Sequence, residues 1–444
     1  MVDGSGTLKI VMKKIHNLLL LLLLLIAGCS KEDDVIDPID PPTPPCEVDY
    51  SALQVGINTK TCHYQPMITP FTDYAKALNV NLPIYGSFSI WSAFGNFNGN
   101  DIPDYVMATG DWENPSGNEI GIVMDDKLVI AFPNPQTQTR KVAVEDLNQD
   151  GIDDIILFGT GPDIADSPGD ETVVIYMYPN GTYKVAEIGL ISGYHHNGAV
   201  GALNGGLPDI IEIDAQAFGR DPDGYVKYYS NNGMSELWIQ GETNITNHHV
   251  ARTYISELHD INGDGILDLF LGGHEWEEDW MASSLKPVQW RTHILLGLGN
   301  GQFDVNNPIL LPIIEDWGVI TEFDIYDIDN DQQQEIIISR TKGKKGAQEG
   351  DWRYNYYDGI MVQILESNGS SWYESKRLVQ ESLPSTHILW AYQTLIYDVN
   401  GDCLLDIIPE SDKINAANFP TFNQVRGLYF EQQQNGQFIK KYKR

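Results

Sequence analysis

Six short stretches of the chain space oxygen-bearing side chains in nearly the same way. The stretches DLNQDGIDD (146–154) and DINGDGILD (260–268) place Asp146, Asn148, Asp150 and Asp154, and Asp260, Asn262, Asp264 and Asp268, at positions one, three, five and nine. DIDNDQQQE (327–335) does the same with Asp327, Asp329, Asp331 and Glu335, and DVNGDCLLD (398–406) with Asp398, Asn400, Asp402 and Asp406. A weaker copy, NFNGNDIPD, carries Asn96, Asn98, Asn100 and Asp104, and a shortened one, ALNGGLPD (202–209), has lost most of its oxygens. Ca²⁺ is a hard cation that takes about six to eight oxygens. Alternate positions of such a loop can point three side chains inward, position seven can add its carbonyl, and position nine can close the shell. A glycine at position six allows the sharp turn.

The copies differ in expected strength. The loops starting at Asp146, Asp260 and Asp398 each offer three carboxylates and one Asn, whereas the Asp327 loop offers four but has Gln332 in place of the glycine. Cys403 fills that place in the Asp398 loop. The Asn96 loop has one carboxylate and the Ala202 loop reads as a plain turn. Three to five structural Ca²⁺ ions follow; the competing reading is that the acids only cap turns. Ions closed in by such a shell leave no open position for catalysis. At position twelve, where a helical calcium loop has its bidentate Glu, stand Leu157 and Leu271, so these are hairpin loops.

The surrounding elements read as strands. Before the motifs lie runs such as RKVAVE, RTYISELH and ITEFDIY, and after them IILFG, LFLGG and IIISR. These are short and rich in Ile, Val, Leu and Tyr, with Gly or Asp at their ends. A further strand usually ends in Asn-Gly, as in VVIYMYPNG, THILLGLGNG and MVQILESNG, the signal of a hairpin with a type I′ turn. Each unit is then four antiparallel strands, with the oxygen-rich loop between the first two and Asn-Gly between the last two. Self-similarity about every 50 to 70 residues signals radial or solenoidal repetition. The expected fold is an all-β propeller of four-stranded blades, six preferred and seven possible, with calcium loops in the first hairpin of each.

The pattern D-x-[DN]-x-D-G-x-x-D before an apolar strand resembles the FG-GAP/VCBS repeats, as in the propeller of integrin α chains. The resemblance covers residues 86–444 and implies a β-propeller and calcium. It says little about function, because adhesins, lyases and other surface proteins share it.

The N-terminal region suggests how the chain is displayed. Met12, Lys13 and Lys14 precede a leucine-rich run from Leu18 to Ile26, which is too short for a mature membrane span. It ends in Ile26-Ala27-Gly28-Cys29, which resembles a bacterial lipoprotein box and implies a lipid on Cys29. The following SKEDD resembles the surface-export signal of Bacteroidetes lipoproteins, so the expected location is the outer membrane, facing the exterior. Residues 1–11 read as an upstream start artefact, 1–29 as the signal peptide, 30–45 as an acidic, Pro-rich tether, and 46–85 as an extension packed on the propeller. Cys46 and Cys62 could form a disulfide outside the cytoplasm. A formal charge of −34 argues against nucleic acid or an anionic membrane as partner, leaving the lipid as the only membrane contact.

Ligand-binding groups are expected on the face opposite the calcium loops. The connections there hold Trp112, His195, His196, His248, His249, His274, Trp276, Trp280, Trp317, Trp352, His387 and Trp390. Trp beside Asp, Glu, Asn and Arg suits a glycan, the ring stacking on apolar C–H faces while polar groups bind hydroxyls; a protein ligand is the other option. For a single Trp, packing between blades is the plainer explanation. An enzyme is the alternative: a polysaccharide lyase could use the His residues with Glu275, Glu277 and Arg353, yet no catalytic motif fixes their geometry. The primary reading is a surface-anchored, calcium-stabilised propeller that binds a glycan or protein ligand in adhesion or polysaccharide capture.

Overall fold

A computed structural model describes residues 88–442, apart from short internal gaps and the longer segments 163–168, 189–194, 215–224, 276–290, 343–358, 382–392 and 411–427. The signal, tether, extension, Cys29, Cys46 and Cys62 lie outside the described residues.

Successive strands form six four-stranded antiparallel sheets. The first has β1 (Phe88–Gly95), β2 (Asp104–Asp111), β3 (Glu119–Met124) and β4 (Lys127–Pro133); the second has β5 (Thr139–Glu145), β6 (Asp154–Gly159), β7 (Val173–Met177) and β8 (Tyr183–Glu187). The third has β9 (Asn197–Gly201), β10 (Asp209–Asp214), β11 (Tyr225–Asn231) and β12 (Trp238–Gln240). In the fourth, β13 (Thr253–His259), β14 (Asp268–Gly273) and β15 (His293–Leu295) are followed by a two-stranded hairpin of β16 (Gly297–Gly299) and β17 (Gln302–Phe303) before β18 (Ile309–Leu310). The fifth has β19 (Val319–Tyr326), β20 (Glu335–Thr341), β21 (Gly359–Ser367) and β22 (Trp372–Glu381). The sixth has β23 (Gln393–Tyr397), β24 (Asp406–Glu410), β25 (Leu428–Gln432) and β26 (Phe438–Tyr442). Each oxygen-rich loop joins the first two strands of one sheet.

The apolar runs explain the stacking. In β6 every residue is buried, and its side chains alternate between faces. Ile155 and Leu157 join Val106, Ile120 and Ile122 of the first sheet, while Ile156 and Phe158 join Ile210 and Tyr229 of the third. The pattern continues: Leu269 and Leu271 of β14 pack with Ala199 and Ile211, and Phe270 packs with Phe323, Ile325 and Ile336. The first five sheets therefore stack face to face in chain order, and the first strands of neighbouring sheets lie together. Burying one such side chain contributes about 1.5–3 kcal/mol. Close approach sets one glycine: a Cβ on Gly198 of β9 would lie 2.0 Å from the Phe158 ring.

One inter-sheet hydrogen bond recurs on the side of the oxygen-rich loops. The carbonyl at loop position two accepts from the third strand, or the hairpin after it, in the following sheet. Leu147 O accepts from Asn231 Nδ2 (2.7 Å), Leu203 O from Asn300 N (3.2 Å), and Ile328 O from Gln432 Nε2 (2.9 Å).

The Asn-Gly turns depart from expectation. Type I′ needs positive φ at both central residues, and among the described Asn-Gly pairs only Asn300–Gly301 has it, at 54° and 68°. At Gly181 and Gly436 only the glycine is positive (75° and 73°). Gly181 N donates to Tyr178 O (2.8 Å) and Tyr178 N to Thr182 O (3.0 Å), with the same pair of bonds at Gln433–Gln437. These are three-residue loops, a type I turn closed by a left-handed glycine. Pro179 in the first and Gln434 in the second add the residue that a two-residue I′ turn cannot hold.

Candidate metal loops and the opposite face

The loop sequence organises its own oxygens. Position one accepts the N–H groups of positions five and six: Asp146 from Asp150 (3.1 Å) and Gly151 (2.9 Å), Asp260 from Asp264 (3.1 Å) and Gly265 (2.7 Å), Asp327 from Asp331 and Gln332 (2.9 Å each). Position three accepts the N–H of position five, at Asn148, Asn262, Asn400 and Asn98, all at 2.9–3.0 Å. Position five accepts the N–H of position seven, at Asp150, Asp264, Asp331 and Asp402, between 2.7 and 3.0 Å. Short polar side chains favour such local turns. The result fixes the three side chains against the loop backbone and leaves further lone pairs on the carboxylates.

Position six is left-handed in each of the Asp146, Asp260 and Asp327 loops: Gly151 at φ 86°, Gly265 at 82° and Gln332 at 71°. Missing its glycine, the Asp327 loop adopts the same turn at a cost of about 1 kcal/mol. Its Asp327, Asp329 and Glu335 each present a carboxylate oxygen within 4.8 Å of the others. Three hard oxygen donors at that spacing suit a Ca²⁺-sized ion. Lys376 Nζ lies 3.9 Å from Asp329 and 3.6 Å from Glu366. Asp398 and Cys403 lie outside the described residues.

Position nine has a second role that the spacing did not reveal. Its carboxylate is buried at Asp104, Asp154, Asp209, Asp268, Glu335 and Asp406. One oxygen accepts the N–H of position two: from Phe97 (3.1 Å), Leu147 (3.1 Å), Ile261 (3.1 Å), Ile328 (2.9 Å) and Val399 (3.0 Å). In four sheets the other reaches the third strand or the hairpin after it: Met177 N (2.8 Å), Asn231 N (2.9 Å), Gly297 N (2.7 Å) and Gln432 N (2.9 Å). The acid thus braces the loop to the sheet with or without metal, which explains its survival in the degenerate copies at Asp104 and Asp209. Burial pushes Asp154 and Glu335 up to about 8 and Asp268 to about 6, against these N–H bonds, which pull down. The neighbouring loop acids raise them further.

The weak Asn96 loop leans on its neighbour: Asn96 N donates to Asp153 Oδ2 (2.7 Å) and Asp153 N to Asn96 O (3.0 Å). Burial, with Glu145, Asp146 and Asp104 nearby, raises Asp153 to about 7. In the shortened loop, Asn204 and Tyr228 both hydrogen-bond Asp209 Oδ2, filling it with side chains.

Of the opposite-face residues, Trp112, His248, His249, His274, Trp276, Trp280, Trp352, His387 and Trp390 lie outside the described residues, as do Glu277 and Arg353. The described ones are packed. Trp317 is 7% exposed, clustered with Ile314 and Met361, and the Lys342 ammonium lies 5.7 Å from its ring centre. His195 is fully buried, its Nδ1 3.3 Å from Glu212 Oε1; the same glutamate accepts from Thr172 and from Tyr229 OH (3.2 Å). His196 meets the Tyr254 ring edge-on at 5.0 Å between centroids. Glu275 forms a buried pair with Arg340 (2.6 Å) and accepts Thr292 N (3.0 Å). Arg340 also donates to Gln363 Oε1 (2.8 Å), Trp317 O (3.1 Å) and Pro312 O (3.2 Å), tying the fourth sheet to the fifth. Sequence reasoning missed Arg340, because an Arg inside IIISR looks like the exposed end of a strand.

Sequence reasoning also missed a polar group on the first strands of the sheets. Lys141 of β5 pairs with Glu257 of β13 and donates to Gly198 O (2.9 Å) of β9 and Ser256 O (2.8 Å) of β13. One side chain thus touches the first strands of two later sheets. Glu322 of β19 accepts Thr394 N of β23. Burial raises Glu257, Glu322 and Asp324; on the last two, neighbouring carboxylates add to it. The alternation within ISELH and TEFDIY could have flagged these acids as strand residues, though not their convergence.

No family model matches the chain, and no curated protein matches it. Among solved structures it is similar to a rhamnogalacturonan lyase of Bacillus licheniformis, with 10% identity, TM-score 0.29, and coverage of 80% of this chain and 55% of that one. Rhamnogalacturonan lyase YesW (11% identity, TM-score 0.27, 79% and 55% covered) and the exotype rhamnogalacturonan lyase YesX (11%, 0.26, 81% and 54%) are similar to the same degree. The chain thus spans about half the length of these proteins.

Proposed function

We propose that this chain is a calcium-stabilised β-propeller of the FG-GAP/VCBS type, anchored at the bacterial outer membrane through Cys29, that binds a glycan or protein ligand on the face opposite its calcium loops. The observation that carries the proposal is the same hydrogen-bonded turn at Asp146, Asp260 and Asp327, in three of the six sheets. Face-to-face sheets in chain order, the recurring bond from loop position two, and the reach of Lys141 across first strands support the radial arrangement. Calcium there neutralises carboxylates that otherwise repel one another, clipping the first hairpin of each sheet. The ligand assignment rests on the Trp- and acid-rich connections of the sequence.

Two measurements test it. Chelation should lower the melting temperature of the lipid-free protein, and an Asp260→Ala, Asp264→Ala variant should lose part of that shift. No change with chelator in either protein refutes the metal reading. On a panel of polysaccharides, binding without new reducing ends supports capture. Unsaturated or newly cut products would replace it with a lyase.

A further inference from the structure

The polar group on the first strands has an unbalanced charge. Lys141 spends its ammonium on Gly198 O, Ser256 O and Glu257, with Asn197 Oδ1 a further 3.4 Å contact. Its donors are thereby used. Glu322 and Asp324 project from one face of β19, since Phe323 and Ile325 between and beyond them fill the apolar cluster on the other. Glu322 accepts Thr394 N, and among the described residues neither acid has a Lys or Arg partner. Asp324 is 5% exposed, and its Oδ2 is buried with no hydrogen-bond partner among the described residues. The Glu257 carboxylate and the Lys141 ammonium both lie within electrostatic reach of it, the first raising it and the second lowering it. Thr321, the unpaired residue at the bulge of β19, also buries its hydroxyl oxygen without a partner among the described residues.

A buried carboxylate without a donor is expensive unless paired or bound to metal. Ionised by a bound cation, three carboxylates beside one ammonium carry two negative charges, the charge of one divalent ion. The donors on hand are hard oxygens. We propose that the first strands hold one divalent cation of the calcium class, with Glu322 and Asp324 as its carboxylate ligands, beside the Lys141–Glu257 pair. The site is separate from the hairpin loops and does not depend on their binding calcium. Its effect is to fasten the first strand of the fifth sheet to those of the fourth and sixth.

Terbium-soaked crystals of the wild-type protein should show an anomalous peak in coordination contact with Glu322 and Asp324. Metal analysis after calcium loading should find one ion fewer per chain in Asp324→Asn than in wild type. Asp260→Ala, Asp264→Ala should lose a different ion and keep this one, so failure of the loops and failure of this site are told apart. Peaks at the loops with none at Glu322 overturn the proposal. So does an unchanged ion count in Asp324→Asn, or a protonated-carboxyl infrared band in calcium-loaded wild type that disappears in that variant. If Asp324→Asn does not fold, Glu322→Gln and the wild-type map decide in the same way.

Discussion

Removing the Arg340 guanidinium should nearly unfold the protein, and removing Glu275 with it should restore much of the loss. Arg340 is one of the largest fully buried side chains and holds four acceptors: Glu275, Gln363 Oε1, Trp317 O and Pro312 O. Arg340→Met keeps the apolar stem and deletes every donor. Glu275 is then a buried carboxylate with one backbone donor, Thr292 N. Breaking a buried pair this way costs about 3–5 kcal/mol. Pro312 O keeps Gln363 Nε2 at 3.3 Å, so two neutral acceptors are orphaned, adding about 1 kcal/mol each. The sum, about 5–7 kcal/mol, is comparable with the whole stability of many domains. In Arg340→Met, Glu275→Gln the charge is gone while an oxygen still accepts Thr292 N, so about 2–3 kcal/mol should return. Urea unfolding of wild type, both single variants and the double variant in calcium gives the coupling energy. A loss under about 1.5 kcal/mol for Arg340→Met, or a double variant no more stable than that single, would refute the argument. The outcome also bears on function: a Glu275 bound this tightly is a structural acid, and any loss of activity in Glu275→Gln must first be compared with its loss of stability.

Gln332→Gly should stabilise the chain by about 1 kcal/mol in urea unfolding, because φ 71° suits glycine and strains glutamine; a neutral or negative effect would contradict the strain. Stability in chelator should fall as pH rises. Asp154 and Glu335 sit near 8 in the fold against about 4 unfolded, so the native state holds more protons across that window. What those protons contribute is fully present below pH 4 and lost toward pH 8, at up to about 1.4 kcal/mol per pH unit per group. Calcium should flatten this slope, and a chelated protein that grows more stable from pH 5.5 to 7.5 would reverse the sign. Gly198→Ala should cost about 1–3 kcal/mol, since the new methyl meets the Phe158 ring at 2.0 Å; a melting temperature unchanged within a degree would mean the second and third sheets part easily.

Much of the fold was legible because its signals are local. Alternation in RTYISELH, the run LFLGG and the loop DINGDG each fix their own backbone, and repetition multiplied weak signals into six sheets. The turns were half legible: Asn-Gly marked where each occurs, but loop length, set by residues such as Pro179, chose the turn type. The candidate opposite face was read from composition alone. Composition cannot separate a Trp that stacks on a ligand from Trp317, which fills a cluster with Ile314 and Met361.

The sequence by itself determined the oxygen-rich loops, because an Asx side chain finds its partners two to five residues away and needs nothing else. It also determined the strand order, since consecutive antiparallel strands pair with their neighbours along the chain. The tertiary structure decided what each acid experiences. Asp264 and Asp268 stand four residues apart in one motif, yet the first is exposed and the second is buried against Gly297, 29 residues on. Lys141 and Glu257 meet across 116 residues, and Arg340 and Glu275 across 65. Burial and long-range pairing depend on which sheets come face to face, and no window of neighbouring residues contains that information.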